Sequence, residues 1–235
     1  MDLSLLIPAY NEQARILSTV DSVRSFLATR PWTHEIIVVD DGSADGTADV
    51  VVAAMATRPG LRCVRGDRNR GKGGAIRLGL QEATGEVVGF IDADDKTDIA
   101  ALDEVFGKLQ GGADIVIGDR TLADSDIAVE RRAYRQWGSE QFRRLLRWWM
   151  RLGDFPDTQC GFKFFRAPVM RDLFERMRID GYMFDVELLL LATQAGHRVI
   201  RVPVRWRDDP DSRFQPVSGS LRNLRELARI RRIHG

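Results

Sequence analysis

Over the first 120 residues, short apolar runs alternate with stretches whose apolar positions recur at helical spacing. Runs such as Ile36-Ile37-Val38-Val39, β-branched and unbroken by polar residues, are those of strands buried on both faces of a sheet. The pattern predicts strands at residues 3–7, 35–39, 61–64, 87–91 and 115–118, and helices over 12–29, 47–57, 73–81 and 100–110. This is the rhythm of an α/β fold of Rossmann-like type, with a mostly parallel central sheet covered by helices.

After Arg120 the rhythm changes. Residues 131–152 combine seven arginines with Trp137, Phe142, Leu145, Leu146, Trp148, Trp149 and Met150, which predicts one basic amphipathic helix. A strand at 162–165, helices over 168–177 and 185–194, and a strand at 198–204 follow. A second basic helix over 220–233 repeats Leu221, Leu224, Leu227, Ile230 and Ile233 at helical spacing. With no internal repeat, low-complexity segment or Pro/Gly/Ser linker, residues 1–235 are expected to form a single domain.

Composition adds little until it is divided. At 44% hydrophobic and 29% charged, the chain has the make-up of a soluble globular protein, and its net charge of +1 excludes a histone-like binder or an acidic disordered tail. Residues 1–120, however, carry 13 basic and 19 acidic side chains, a net of −6, and residues 121–235 carry 22 and 15, a net of +7. Cys63 and Cys160 lie far apart and near no histidine cluster, so neither a disulfide framework nor a zinc site is indicated, and a reduced, cytoplasmic setting is expected. The longest uncharged run, residues 188–197, is half the ~20 residues of a membrane span, so membrane contact is expected to be peripheral.

In an open parallel sheet, ligands bind where the strands end. The first predicted strand runs into Pro8-Ala9-Tyr10-Asn11-Glu12, the second into Asp40-Asp41-Gly42-Ser43 and the fourth into Asp92-Ala93-Asp94-Asp95; the loop after the third holds Asn69-Arg70-Gly71-Lys72-Gly73-Gly74. Asp-Asp-Gly-Ser is by itself also an ordinary turn. Asp92 and Asp94, at i and i+2 on leaving a buried strand, can both address one hard divalent cation, Mg²⁺ or Mn²⁺, that bridges diphosphate oxygens. Residues 66–72 fit the first seven positions of a P-loop, but Gly73 stands where the Ser or Thr hydroxyl is required. The three histidines, His34, His197 and His234, stand alone and suggest no role.

Taken in order, these segments resemble the family-two inverting glycosyltransferases. The likeness extends through Asp157-Thr158-Gln159-Cys160-Gly161-Phe162-Lys163 and Phe184-Asp185-Val186-Glu187, which are similar to the branch that glycosylates polyprenyl phosphates, above all dolichyl-phosphate β-glucosyltransferases, with dolichyl-phosphate mannose synthases as near relatives. The resemblance spans about residues 4–213 and implies the nucleotide-sugar-binding glycosyltransferase A-type fold with C-terminal amphipathic helices. Residues 1–120 would form the nucleotide-sugar and metal half, and residues 121–235 the acceptor- and membrane-facing half.

The resemblance further implies that Pro8, Tyr10, Glu12 and Asp40 hold the nucleoside, that Asp92 and Asp94 carry the metal on the donor diphosphate with Ala93 between them in the nucleotide-sugar site, and that Lys72, Arg207 and Arg213 neutralise the diphosphate. The usual Gly-Ser-Lys is here Asp211-Ser212-Arg213. Asp94 and Asp185 are the candidate catalytic carboxylates, and Arg120 and Arg132 the candidates for an acceptor phosphate. A phosphate monoester, with its second pKa at about 6, is already ionised at neutral pH and needs no base, which leaves Asp185 and Glu187 free to orient a donor hydroxyl or a loop instead. The implied partners are UDP-glucose or GDP-mannose, a polyprenyl phosphate and an anionic membrane surface met by the arginine helices. Arginine interleaved with aromatics also suits nucleic acid, but no nucleic-acid partner is expected beside a lipid-phosphate acceptor. A saccharide acceptor, or a binder without catalysis, are the alternatives.

Overall fold

The computed structural model describes residues 1–125, 149–150, 152–207 and 216–235. Most of the predicted 131–152 helix, with Arg132, and the 208–215 segment with Arg213 lie outside the described residues. Seven strands form one sheet: β1 (Leu3–Ala9), β2 (His34–Asp40), β3 (Leu61–Arg65), β4 (Val87–Ile91), β5 (Ile115–Asp119), β6 (Phe162–Arg166) and β7 (Val199–Pro203). Their order is β3-β2-β1-β4-β6-β5-β7, and β6 alone runs antiparallel to its neighbours. The mostly parallel sheet expected from the sequence is therefore present, threaded by strands from both halves of the chain.

The described helices are α1 (Ile16–Leu27), α2 (Thr47–Met55), α3 (Lys72–Glu82), α4 (Leu102–Gln110), α5 (Ala167–Arg176), α6 (Phe184–Gln194) and α7 (Pro216–His234). They split into two layers. On one face α1, α2 and α4 bury Val20, Val51 and Val105 against Leu5, Val38 and Phe164. On the other, α3, α5, α6 and α7 bury Ile76, Phe174, Leu188 and Leu227 against Leu6, Phe90 and Phe165. Alternation along each strand divides its side chains between the two cores. The first helix begins at Ile16 rather than residue 12, because Asn11 takes a left-handed φ of 56° and the chain turns before it coils.

Strand β6 fits between β4 and β5 through a close approach. Gly89 faces Phe164 in register, and a Cβ on Gly89 would lie 2.1 Å from the Phe164 ring. The same register sets Lys163 opposite Phe90, on the face covered by α6. Among the described residues no helix is long and apolar enough to cross a membrane.

Candidate active site at the strand carboxyl ends

The strand order reverses between β1 and β4, and at such a switch point the diverging connections leave a crevice. A cleft of about 560 Å³ opens there. Pro8, Ala9 and Tyr10 from the end of β1, Asp41, Asn69 to Lys72, and Ala75 form one side; Gly181, Tyr182 and, from α7, Arg222 and Glu226 form the other. The cleft thus draws on both halves of the chain, and the second half enters it through Gly181, Tyr182, Arg222 and Glu226, residues the sequence had not singled out.

Gly71 caps α3 with a φ of 93°, and a Cβ there would sit 2.6 Å from the Asp180 carbonyl oxygen, so only glycine allows the turn. The next residue, Lys72, reaches the Asp92 carboxylate with its ammonium, between the rings of Phe90 (5.6 Å to centroid) and Phe184 (6.0 Å). Burial alone would lower the Lys72 pKa; the carboxylates of Asp92 and Asp185 reverse this and hold it above its ordinary value. Burial likewise works to raise Asp92, and Lys72 overrides it, keeping the carboxyl below the usual range. The Asp92 side chain nevertheless remains 40% exposed.

A second pair lies deeper. Lys163, fully buried, donates from Nζ to the Cys160 carbonyl at 2.6 Å and sits 2.8 Å from Asp185 Oδ1, an ionic contact off the axis of a hydrogen bond. Burial pushes the Asp185 carboxyl up against the pull of Lys163 and Lys72. Beside them, Arg120 grips Asp157 with a two-pronged contact, Nε to Oδ2 and Nη2 to Oδ1, each 2.8 Å, and its backbone N–H adds a third bond. Burial disfavours the Arg120 charge, but Asp157 more than compensates and raises its pKa. Three cations and three carboxylates therefore balance around the floor of the site. Cys160 is no nucleophile, since burial pushes its thiol up to about 12.

The remaining sequence candidates are dispersed around this core. Glu12 turns away to Arg15, and its backbone N–H is held by Thr47 Oγ1 at 2.8 Å. Asp40 is fully buried behind the cleft wall; its Oδ1 accepts the Ser43 N–H, and its Oδ2, 3.4 Å from Arg65, has no hydrogen-bond partner. It is the adjacent Asp41, accepting the Arg70 and Gly71 N–H groups, that lines the cleft. Ala93 is buried, with its carbonyl taken by Thr19 Oγ1. Asp94 contacts Lys96 at 3.4 Å, and the Arg207 N–H donates to the Lys96 carbonyl at 2.8 Å, which brings the late Arg207 to the rim near Asp94. Glu187 serves a loop: fully buried, it accepts the N–H groups of Arg178 and Ile179 and contacts His234 Nε2 at 2.7 Å.

Among the described residues no three His, Cys, Asp or Glu side chains cluster into a closed metal cage. Asp92 and Asp94, each held here by a lysine, Lys72 and Lys96, are the hard-oxygen groups that could hold a divalent cation whose remaining ligands a substrate supplies. The fit is supported by Gly161, where a Cβ would lie 1.9 Å from Asp92 Oδ2: the bare backbone is what lets that carboxylate sit at the rim.

Sequence reasoning missed Lys163, the 177–183 loop and the cleft-lining side of α7. The buried lysine alone carried a signal, as a charge inside the apolar run Phe162-Lys163-Phe164-Phe165.

A sequence profile described as Glycosyl transferase family 2 matches residues 4–174. The dolichyl-phosphate β-glucosyltransferase of Dictyostelium discoideum is 34% identical over 97% of this chain and 73% of its own length. That of Homo sapiens is 31% identical over 97% and 74%. In three dimensions, glucosyl-3-phosphoglycerate synthase from Mycobacterium tuberculosis, solved in complex with Mn²⁺, UDP and glucosyl-3-phosphoglycerate, superposes with a TM-score of 0.73 at 23% identity, over 97% of this chain and 78% of that one. The two share the glycosyltransferase A-type fold.

Proposed function

This chain belongs to glycosyltransferase family 2, and on that premise we propose that it is a metal-dependent inverting enzyme that moves glucose from UDP-glucose to a polyprenyl phosphate at the cytoplasmic face of a membrane. The observation that carries the reading is the pairing of Lys72 with Asp92 at the mouth of the switch-point cleft. A cation and a carboxylate that neutralise each other there are the two groups a diphosphate and its counter-ion would separate. The names of the relatives support glucose as the sugar and a dolichyl phosphate as the acceptor.

Tyr10, 44% exposed at the cleft edge, offers a face on which a base stacks. Asp40 is assigned to the nucleoside, but its carboxylate is enclosed behind the cleft wall and 3.4 Å from Arg65, and the carboxylate that lines the cleft with Tyr10 is that of Asp41. Asp92 and Asp94 would hold Mg²⁺ or Mn²⁺, whose charge offsets that of the donor diphosphate when bound. Lys72 then faces the same diphosphate, and Arg207 adds a charge at the rim, with Arg213 assigned to the same task.

The transfer is a single displacement. An oxygen of the acceptor phosphate forms its bond to the anomeric carbon from the face opposite the nucleotide, the bond from that carbon to the diphosphate oxygen breaks, and an α-linked donor gives a β-linked product. Negative charge gathers on the leaving diphosphate, where Lys72 stabilises it. No proton has to be removed from an ionised phosphate monoester, so Asp185, tied to Lys163, positions rather than abstracts. Arg120 and Arg132 are assigned to the acceptor phosphate; Arg120 would keep Asp157 as its anchor and use its remaining N–H groups.

The test is incubation with UDP-glucose and GDP-mannose in parallel, a short polyprenyl phosphate and Mn²⁺, followed by mass analysis of the lipid. A lipid carrying one hexose from UDP-glucose, abolished by EDTA, is expected. A product from GDP-mannose alone would overturn the donor, turnover only on a saccharide would overturn the acceptor, and no nucleoside diphosphate release from either donor would overturn the activity.

A further inference from the structure

The wall of the cleft opposite β1 is a short loop, residues 177–183, whose backbone is held from three sides. Glu187 of α6 takes the N–H groups of Arg178 and Ile179. Arg77 of α3 donates to the Met177 carbonyl and the Asp180 carboxylate, each at 3.2 Å. The third hold comes from α7: Glu226 Oε2 accepts the Met183 N–H at 2.9 Å, and its Oε1 lies where a Cβ of Gly181 would be, 2.1 Å from that position. Glycine at 181 is what allows the carboxylate to lie flat on the loop.

The loop reaches the donor machinery directly. The Asp180 carbonyl accepts the Gly74 N–H at 3.2 Å and packs on Gly71, so the loop abuts the first turn of α3, from which Lys72 projects. Tyr182, one residue from the Glu226 contact, lines the cleft. Helix α7 does not depend on this contact for its seat. Leu227 and Ile230 are fully buried, His234 meets Glu187, and the His234 carbonyl accepts from Gln194 at 2.7 Å.

We propose that Glu226 is a positioning residue of the donor site: by holding the Gly181–Met183 segment it sets Tyr182 and the Lys72 turn for the nucleoside diphosphate. The inference rests on the donor reading given above. A purely structural role would show as lost stability; a positioning role shows in donor affinity, with the fold intact.

The experiment is calorimetric titration of UDP, with GDP in parallel, into the full chain with Mn²⁺, together with the donor KM and kcat. Glu226→Ala is expected to weaken nucleotide binding and raise the donor KM about tenfold, the worth of one hydrogen bond to a charged group, with kcat within about threefold and the melting temperature within a few degrees. Glu226→Gln keeps a carbonyl oxygen for the Met183 N–H and should restore most of the affinity. Gly181→Ala drives a methyl into the carboxylate and should reproduce the Glu226→Ala defect, which keeps the test available if Glu226→Ala does not fold. Wild-type affinity in both Glu226→Ala and Gly181→Ala, or a Gln variant as weak as the Ala variant, would overturn the inference alone. A wild-type chain that binds neither nucleotide would overturn the donor reading and the inference with it.

Discussion

Two groups of buried acids lie at opposite ends of the same sheet and are treated in opposite ways. At the start of β2, Glu35 is almost fully buried and every oxygen is engaged: Oε1 accepts from Ser4 Oγ, Thr84 N–H and Thr84 Oγ1, and Oε2 from Arg62. Burial alone would raise its pKa, yet the hydrogen bonds from Ser4 and Thr84 lower it to about 2. At the carboxyl end, Asp40 keeps an oxygen with no hydrogen-bond partner and only the Arg65 charge at 3.4 Å, Asp185 meets its lysine off-axis, and burial leaves Asp185 with a raised pKa. A satisfied buried network rigidifies; an incompletely satisfied one costs free energy that a ligand can return. The contrast separates the end that holds the sheet together from the end that works.

The contrast is broken most sharply at Asp92. Asp92→Asn is expected to lower kcat by about a thousandfold, some 4 kcal/mol of transition-state stabilisation, while the melting temperature stays within a few degrees; equal loss of stability and activity would make the rim a structural element. Next comes the deep pair. Lys163→Met leaves Asp185 buried without its cation and should destabilise by about 3 kcal/mol in urea unfolding. The double variant Lys163→Met/Asp185→Asn should recover most of that stability and none of the turnover, since the pair belongs to the working end.

At the other end, Glu35→Ala should cost about 2–3 kcal/mol and leave donor KM and kcat unchanged within about twofold. Its pH signature is smaller still at neutrality and has a fixed sign. Because the folded pKa of Glu35, about 2, lies below its ordinary value of 4.5, its contribution is complete above about pH 5 and is lost as pH falls from there towards 2. Melting curves of the wild type should decline over that window more steeply than those of Glu35→Gln.

Much of the working end was legible in the sequence because its chemistry sits at strand ends, and strands of the type Ile36–Val39 announce themselves. Lys72 and Tyr10 follow from that rule and line one crevice, with Asp92 paired to Lys72. What was not legible depends on pairings between distant residues. Nothing local in Phe162–Phe165 says that the strand runs antiparallel between β4 and β5, although that placement delivers Lys163 to Asp185. Glu226 and Met183 are 43 residues apart. The apolar stripe of the last helix fits a lipid surface and a protein core equally by periodicity; Leu227 and Ile230 spend it on the core, while Leu224 and Ile233 remain exposed. Asp40 and Asp41 are adjacent and identical in type, and only the β2 pleat decides which of them faces the cleft.

The position of β6 also sets a delay during synthesis. The edge of β4 that ends at Ile91 pairs with a strand that begins at Phe162, about 70 residues later. At ribosomal speeds of roughly 5–20 residues per second, that edge waits about 4–14 s for its partner, with the row of backbone donors and acceptors along Val87–Ile91 open to any other chain. A nascent chain shorter than about 160 residues therefore leaves open a sheet edge that the full chain covers. A fragment ending at residue 120 should scatter light under conditions in which the full chain remains in solution.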